Sequence, residues 1–246
     1  MTYCNVYTPF RLPALGAIAL LVVVSISSVA QAGNLATTAR ALNDGLGPDA
    51  GTWRGQASIS VAPIPFLGDE VSALVDWAAF APGDFQLYLD DEGIAESDPS
   101  GVLEVVYAYQ IVSVTAASPG ITTLTVGVDS TDGRGSVLPP AFVPAGGGSE
   151  VDPVGGGDQT TSMAWFFDGS ALQVGDTTGL LVFSSPFAPE LDSMQISSGL
   201  ASPSPSPLVA SISDRIYDNN IPEPSSIALL LIGTLGLAGG RRKRFA

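Results

Sequence analysis

The chain has 246 residues and a sequence pI near 4.1, with 24 acidic residues against nine basic ones. It contains no His, one Cys (Cys4) and one Lys (Lys243), which removes Ser-His-Asp and Cys-His nucleophiles, His- or Cys-ligated zinc and a Schiff-base lysine. Acid-rich surfaces repel phosphate backbones, so nucleic acid is excluded as a partner.

Arg11 precedes a nearly all-apolar run from Leu12 to Val24, softened by Ser25 to Ser28 and followed by Ala30-Gln31-Ala32. A charged start, a short greasy core and a small-x-small site predict a secretory signal peptide over 1–32. Ala30 and Ala32 form the predicted cleavage site, with the cut after Ala32, and the secretion machinery and signal peptidase are the implied partners. Between Gly33 and Ile221 four Arg residues face 23 acids, a formal charge of −19. With Cys4 in the leader, the exported body has no disulfide, although its compartment permits one.

The body, 33–201, reads as strands. A weak helical spacing over Asn34 to Leu46 comes first. Thr52 to Ala62, Val71 to Trp77 and Phe85 to Leu89 carry β-branched or alternating apolar residues. Val102 to Val114 is the longest such run, with Leu103, Val105, Tyr107, Tyr109 and Ile111 on one face. Ile121 to Val128, Met163 to Phe167, Leu180 to Phe183 and Val209 to Ile212 continue the period-two pattern. Pro82-Gly83, Pro119-Gly120 and Asp132-Gly133 mark turns. Many short strands without a long amphipathic helix predict an all-β fold, an antiparallel β-sandwich of Greek-key or jelly-roll type. Leu138 to Gly157 reads as a long flexible loop, and its triple glycines lack the Gly-Lys-Ser/Thr of a phosphate loop.

Carboxylates are the remaining chemistry. Asp90, Asp91, Glu92, Glu96 and Asp98 crowd one segment and offer part of an oxygen shell for Ca²⁺, or simply a solvated acidic loop. Asp129 to Gly133 spaces its acids by three rather than two and reads as a turn. No catalytic pair and no organic cofactor is identified; calcium is the one candidate ion. Trp53, Trp77 and Trp165 fit either a sandwich core or sugar stacking.

Ser202 to Pro207 is a Ser-Pro repeat that opens a predicted spacer over 202–221. Then come Pro222-Glu223-Pro224, an uncharged apolar run from Ser225 to Gly240, and Arg241-Arg242-Lys243-Arg244. As a helix, 225–240 spans about 24 Å at 1.5 Å per residue, short of the ~30 Å hydrocarbon layer. Flanking cations relieve such a mismatch by snorkelling. They also orient the segment with its basic end in the cytoplasm and the body across the membrane.

This tail, 222–246, resembles the PEP-CTERM sorting signal of exported bacterial proteins. The resemblance implies that Pro222, Glu223 and Pro224 are read by an exosortase, a membrane protease-transpeptidase, in a Gram-negative bacterium that makes extracellular polymer. A non-enzymatic surface or matrix protein is expected. Such a protein is held transiently at the inner membrane, with its body periplasmic, and then moves to the cell surface or matrix. A structural or adhesive body is expected. The alternatives are a module that binds extracellular polysaccharide and, further off, a carboxylate-dependent hydrolase.

Overall fold

The computed structural model describes residues 35–43, 52–61, 70–101, 103–128, 133–146, 149–198 and 207–217. The signal peptide expected over 1–32 and the apolar segment 225–240 lie outside them. Among the described residues no helix is long and apolar enough to cross a membrane.

The described residues form ten strands. These are β1 (Arg54–Val61), β2 (Glu70–Phe80), β3 (Val105–Ser118), β4 (Thr123–Gly127), β5 (Phe142–Val143), β6 (Gly155–Gln159), β7 (Ser162–Phe166), β8 (Leu180–Ser185), β9 (Phe187–Ser197) and β10 (Leu208–Ile216). One helix, α1 (Asp84–Asp91), lies between β2 and β3. The strands form two five-stranded sheets with orders β1-β2-β3-β8-β5 and β10-β9-β4-β7-β6. Every strand pairing is antiparallel. β3 pairs with β8 in the first sheet while β4 pairs with β7 in the second. The chain therefore changes sheet between β3 and β4, β4 and β5, β5 and β6, β7 and β8, and β8 and β9.

The two sheets share one core. Tyr107, Tyr109 and Ile111 from β3 pack with Leu124, Trp165 and Ile212 from the facing sheet, all buried. The Tyr109 ring lies 5.9 Å from that of Trp165 and 6.0 Å from that of Phe183. The Tyr109 hydroxyl donates across the layers to the Ala210 carbonyl, which fixes the orientation of a large buried ring through its one polar atom.

The first sheet is apolar on its other face too. Phe80, Val106, Ala108 and Val182 are buried there with Phe85, Tyr88 and Leu89 of α1 and Leu35 of the N-terminal segment. That is why Val105 to Ile111 are buried without a break, where a half-exposed strand would alternate. Arg40 Nε donates to Asp91 Oδ2 at 2.8 Å and ties the N-terminal segment to the end of α1.

Four sequence expectations are corrected. Phe85 to Leu89 is helical rather than extended, because Phe85, Tyr88 and Leu89 stand at i, i+3 and i+4 and are buried together. Helical and alternating spacing overlap in so short a run, and the turn at Gly83 (φ 90°) starts the helix. Asn34 to Leu46 supplies only a 3-10 turn, Leu35–Thr37, among its described residues. The flexible loop from Leu138 to Gly157 contains β5 and begins β6. Gly156 is required by packing, since a Cβ there would lie 2.6 Å from the Ala164 carbonyl oxygen and 2.9 Å from Pro140 Cα. The spacer expected over 202–221 is in part body, because Leu208 to Ile216 are the edge strand β10, paired along β9 with Val209 and Ile212 buried.

Candidate functional site

One end of the molecule gathers several strand termini. Val105 opens β3 opposite Ser185, the last residue of β8. Pro186 alone separates β8 from β9, and Phe187 at the start of β9 pairs with Ile216 at the end of β10. The Tyr217 amide donates to the Pro186 carbonyl at 2.9 Å and pins the chain just past β10. Between these termini lies a cleft of about 450 Å³, lined by Pro82, Leu103, Glu104, Val105, Pro186, Ile216 and Tyr217. Leu103 is 81% exposed and Ile216 72%, the two highest values among the large apolar side chains described.

Glu104 is the one charged residue of this lining, and its carboxylate is held in place. Oε2 accepts from the Ser136 amide at 2.8 Å, from Ser136 Oγ at 3.0 Å and from Ser184 Oγ. Ser184 Oγ in turn accepts from the Val137 amide at 3.0 Å. Gly135 allows this approach, since a Cβ there would lie 2.2 Å from Glu104 Oε2 and 2.6 Å from the Ser184 carbonyl carbon. A fixed carboxylate beside apolar walls attracts a cationic or hydrogen-bond-donating side chain. A glycosidase centre uses two facing carboxylates, and this lining has one.

The five acids proposed for calcium are divided among different partners. Asp90 Oδ1 accepts from Gln86 Nε2 at 2.9 Å, one helical turn away. Asp91 pairs with Arg40. The Asp98 amide donates to Gln86 Oε1 at 2.8 Å, and Asp98 Oδ1 accepts from the Ser100 amide and hydroxyl at 2.8 and 2.7 Å. Glu92 and Glu96 line a separate cleft of about 230 Å³ with Ile94, Pro144 and Ala145. Among the described residues no three His, Cys, Asp or Glu side chains converge as a metal-binding set. Local charge density along the sequence did not foresee that Gln86, Arg40 and Ser100 would engage three of the five acidic residues.

Trp53 and Trp77 are 4% exposed and Trp165 is fully buried, so all three belong to the core and none presents a ring for sugar stacking. Ala30, Ala32, Pro222, Glu223, Pro224, Arg241, Arg242, Lys243 and Arg244 lie outside the described residues, as do Asp129 and Asp132 of the Asp-rich turn. The cleft itself escaped the sequence reading. Leu103 looked like one more inward position of a strand, and nothing local revealed that the chain turns at Glu104.

The polypeptide leaves this end of the body at Tyr217, close to the start of its C-terminal tail. Residues 220–244 are a PEP-CTERM protein-sorting motif. A PEP-CTERM motif is a signal recognised by exosortase, a membrane enzyme, and it marks an exported protein processed at the membrane. No curated protein and no solved structure matches the chain.

Proposed function

We propose that this protein is a non-catalytic component of the bacterial cell surface or extracellular matrix, with a structural or adhesive body. The general secretory route exports it, and signal peptidase removes 1–32. The apolar segment 225–240 then holds it in the inner membrane with the body outside, until exosortase cuts near Pro222-Glu223-Pro224. The PEP-CTERM motif at 220–244 carries this reading. The body is a jelly-roll-like β-sandwich, a description supported by the nested pairing of β3 with β8 and of β4 with β7.

A stable scaffold fits the chemistry of the body. Its largest side chains interlock in one core between the sheets and a second under α1. Its charge of −19 keeps copies apart in dilute solution and favours a setting rich in cations. Mass spectrometry of the mature protein tests the delivery reading. The expected product starts at Gly33 and lacks Arg241 to Arg244; a mature form retaining that cluster overturns processing.

A further inference from the structure

The distance between the body and its sorting motif is short. Tyr217 is pinned through its amide to Pro186, and residues 218–221 alone separate it from Pro222. Five residue steps span at most about 18 Å. An enzyme that grips Pro222 to Pro224 therefore works against this end of the body, not at the end of a long leash. The two most exposed large apolar side chains of the described body, Leu103 and Ile216, stand at this same end and line one cleft. Nothing in the folding of the body calls for them to face water.

We propose that the cleft formed by Leu103, Glu104, Ile216 and Tyr217 is a docking site for the exosortase, a second recognition surface that acts together with Pro222-Glu223-Pro224. The inference rests on the reading that exosortase processes this chain. The matching enzyme surface is an apolar protrusion that fills the cleft, with a basic side chain directed at Glu104. Charge favours a protein partner over the bilayer itself, because a body of −19 is repelled by anionic headgroups.

Pulse-chase of the full chain in cells that contain the exosortase, read by mass, measures the rate of C-terminal processing. Leu103→Asp and Ile216→Asp are expected to slow it at least about threefold, at unchanged melting temperature of the processed protein. Val174→Asp, at a side chain that is 62% exposed elsewhere, is expected to leave it unchanged. Leu103→Ser serves where the Asp variant lowers the melting temperature, with slowing again expected. Inserting ten Gly/Ser residues after Tyr217 is expected to slow the wild type to the rate of Leu103→Asp, since tethering no longer holds the docked geometry. Wild-type rates in the two cleft variants, or equal slowing by Val174→Asp, overturn the docking site. So does binding of the processed protein to phosphatidylethanolamine/phosphatidylglycerol vesicles that Leu103→Asp abolishes, because the surface is then a lipid contact. Processing that survives Glu223→Ala unchanged counts instead against the exosortase reading itself.

Discussion

Asp76 is a carboxylate in the wrong place for a charge. It stands in β2, 2% exposed, on the face that α1 and the N-terminal segment cover. Burial raises its pKa above the ordinary carboxylate value; hydrogen bonds from Gln56 and from the Ala36 backbone only partly offset this. Gln56 Nε2 donates to Asp76 Oδ1 at 2.7 Å. Gln110, the neighbour in register on β3, donates to the Thr178 carbonyl, and its buried Oε1 has no hydrogen-bond partner. Because the folded pKa lies above the unfolded one, folding takes up a proton. The stability from this site is complete below the unfolded carboxylate range of about 3.9 and is lost as pH rises through the folded pKa. Asp76→Asn is therefore expected to raise the melting temperature at pH 7 and to lose that advantage near pH 4. Thermal denaturation across this range checks it. Asp84, also raised by burial and partly offset by Arg40, contributes a slope of the same sign. Gly135 gives a steric counterpart. Gly135→Ala pushes a methyl group into Glu104 and Ser184 and is expected to cost about 1–3 kcal/mol by urea denaturation, with the cleft carboxylate displaced.

Helix α1 shows how a short element is chosen by what it covers. In eight residues it buries Phe85, Tyr88 and Leu89 over the first sheet, and the Phe80 ring lies 5.2 Å from Phe85 and 5.1 Å from Tyr88. Burial also raises the Tyr88 hydroxyl far above the ordinary phenol range, so it stays protonated throughout neutral pH. Phe85→Ala is expected to cost about 3–5 kcal/mol, read as a lower urea midpoint. The long strands were legible because β-branched and aromatic residues run without a turn signal through eleven residues of β2 and fourteen of β3. Phe85 to Leu89 was not, since five residues satisfy both periods. β9 was hidden for another reason. Phe187 to Ser197 mixes Pro189, Glu190 and Asp192 into its length, and it becomes a strand through its partners β4 and β10. The glycines of β6 likewise look like a linker until Ala164 and Pro140 are seen pressed against Gly156.

The whole body carries −19, and its described ion pairs are Arg40–Asp91 and Arg134–Asp158. Arg40–Asp91 is exposed and worth little, and two pairs leave most of the acids uncompensated, so mutual repulsion of the acids dominates its long-range electrostatics. The melting temperature of the processed protein is expected to rise between about 0.01 and 0.15 M NaCl, as the screening length falls from ~30 to ~8 Å; a constant or falling value counts against net repulsion. The same charge separates two surfaces of the molecule. Acids occupy α1 and the segment just after it, whereas the cleft beside the chain exit is walled by Pro82, Leu103, Pro186 and Ile216 around the single Glu104.

The PEP-CTERM signal was complete in the sequence, because it is a local order of residues read along the chain: a short motif, an uncharged apolar run and a cluster of cations. The β-rich body came from alternation, which is also local. Folding alone decided the fate of the acids, the tryptophans and the cleft. Gln86 and Arg40 claim carboxylates that charge density had grouped together, and the three Trp rings vanish into the core. Leu103 and Ile216, more than a hundred positions apart, meet because β3 begins and β10 ends on the same side. Proximity between distant segments is set by strand pairing and layer packing, and no pattern within either segment encodes it.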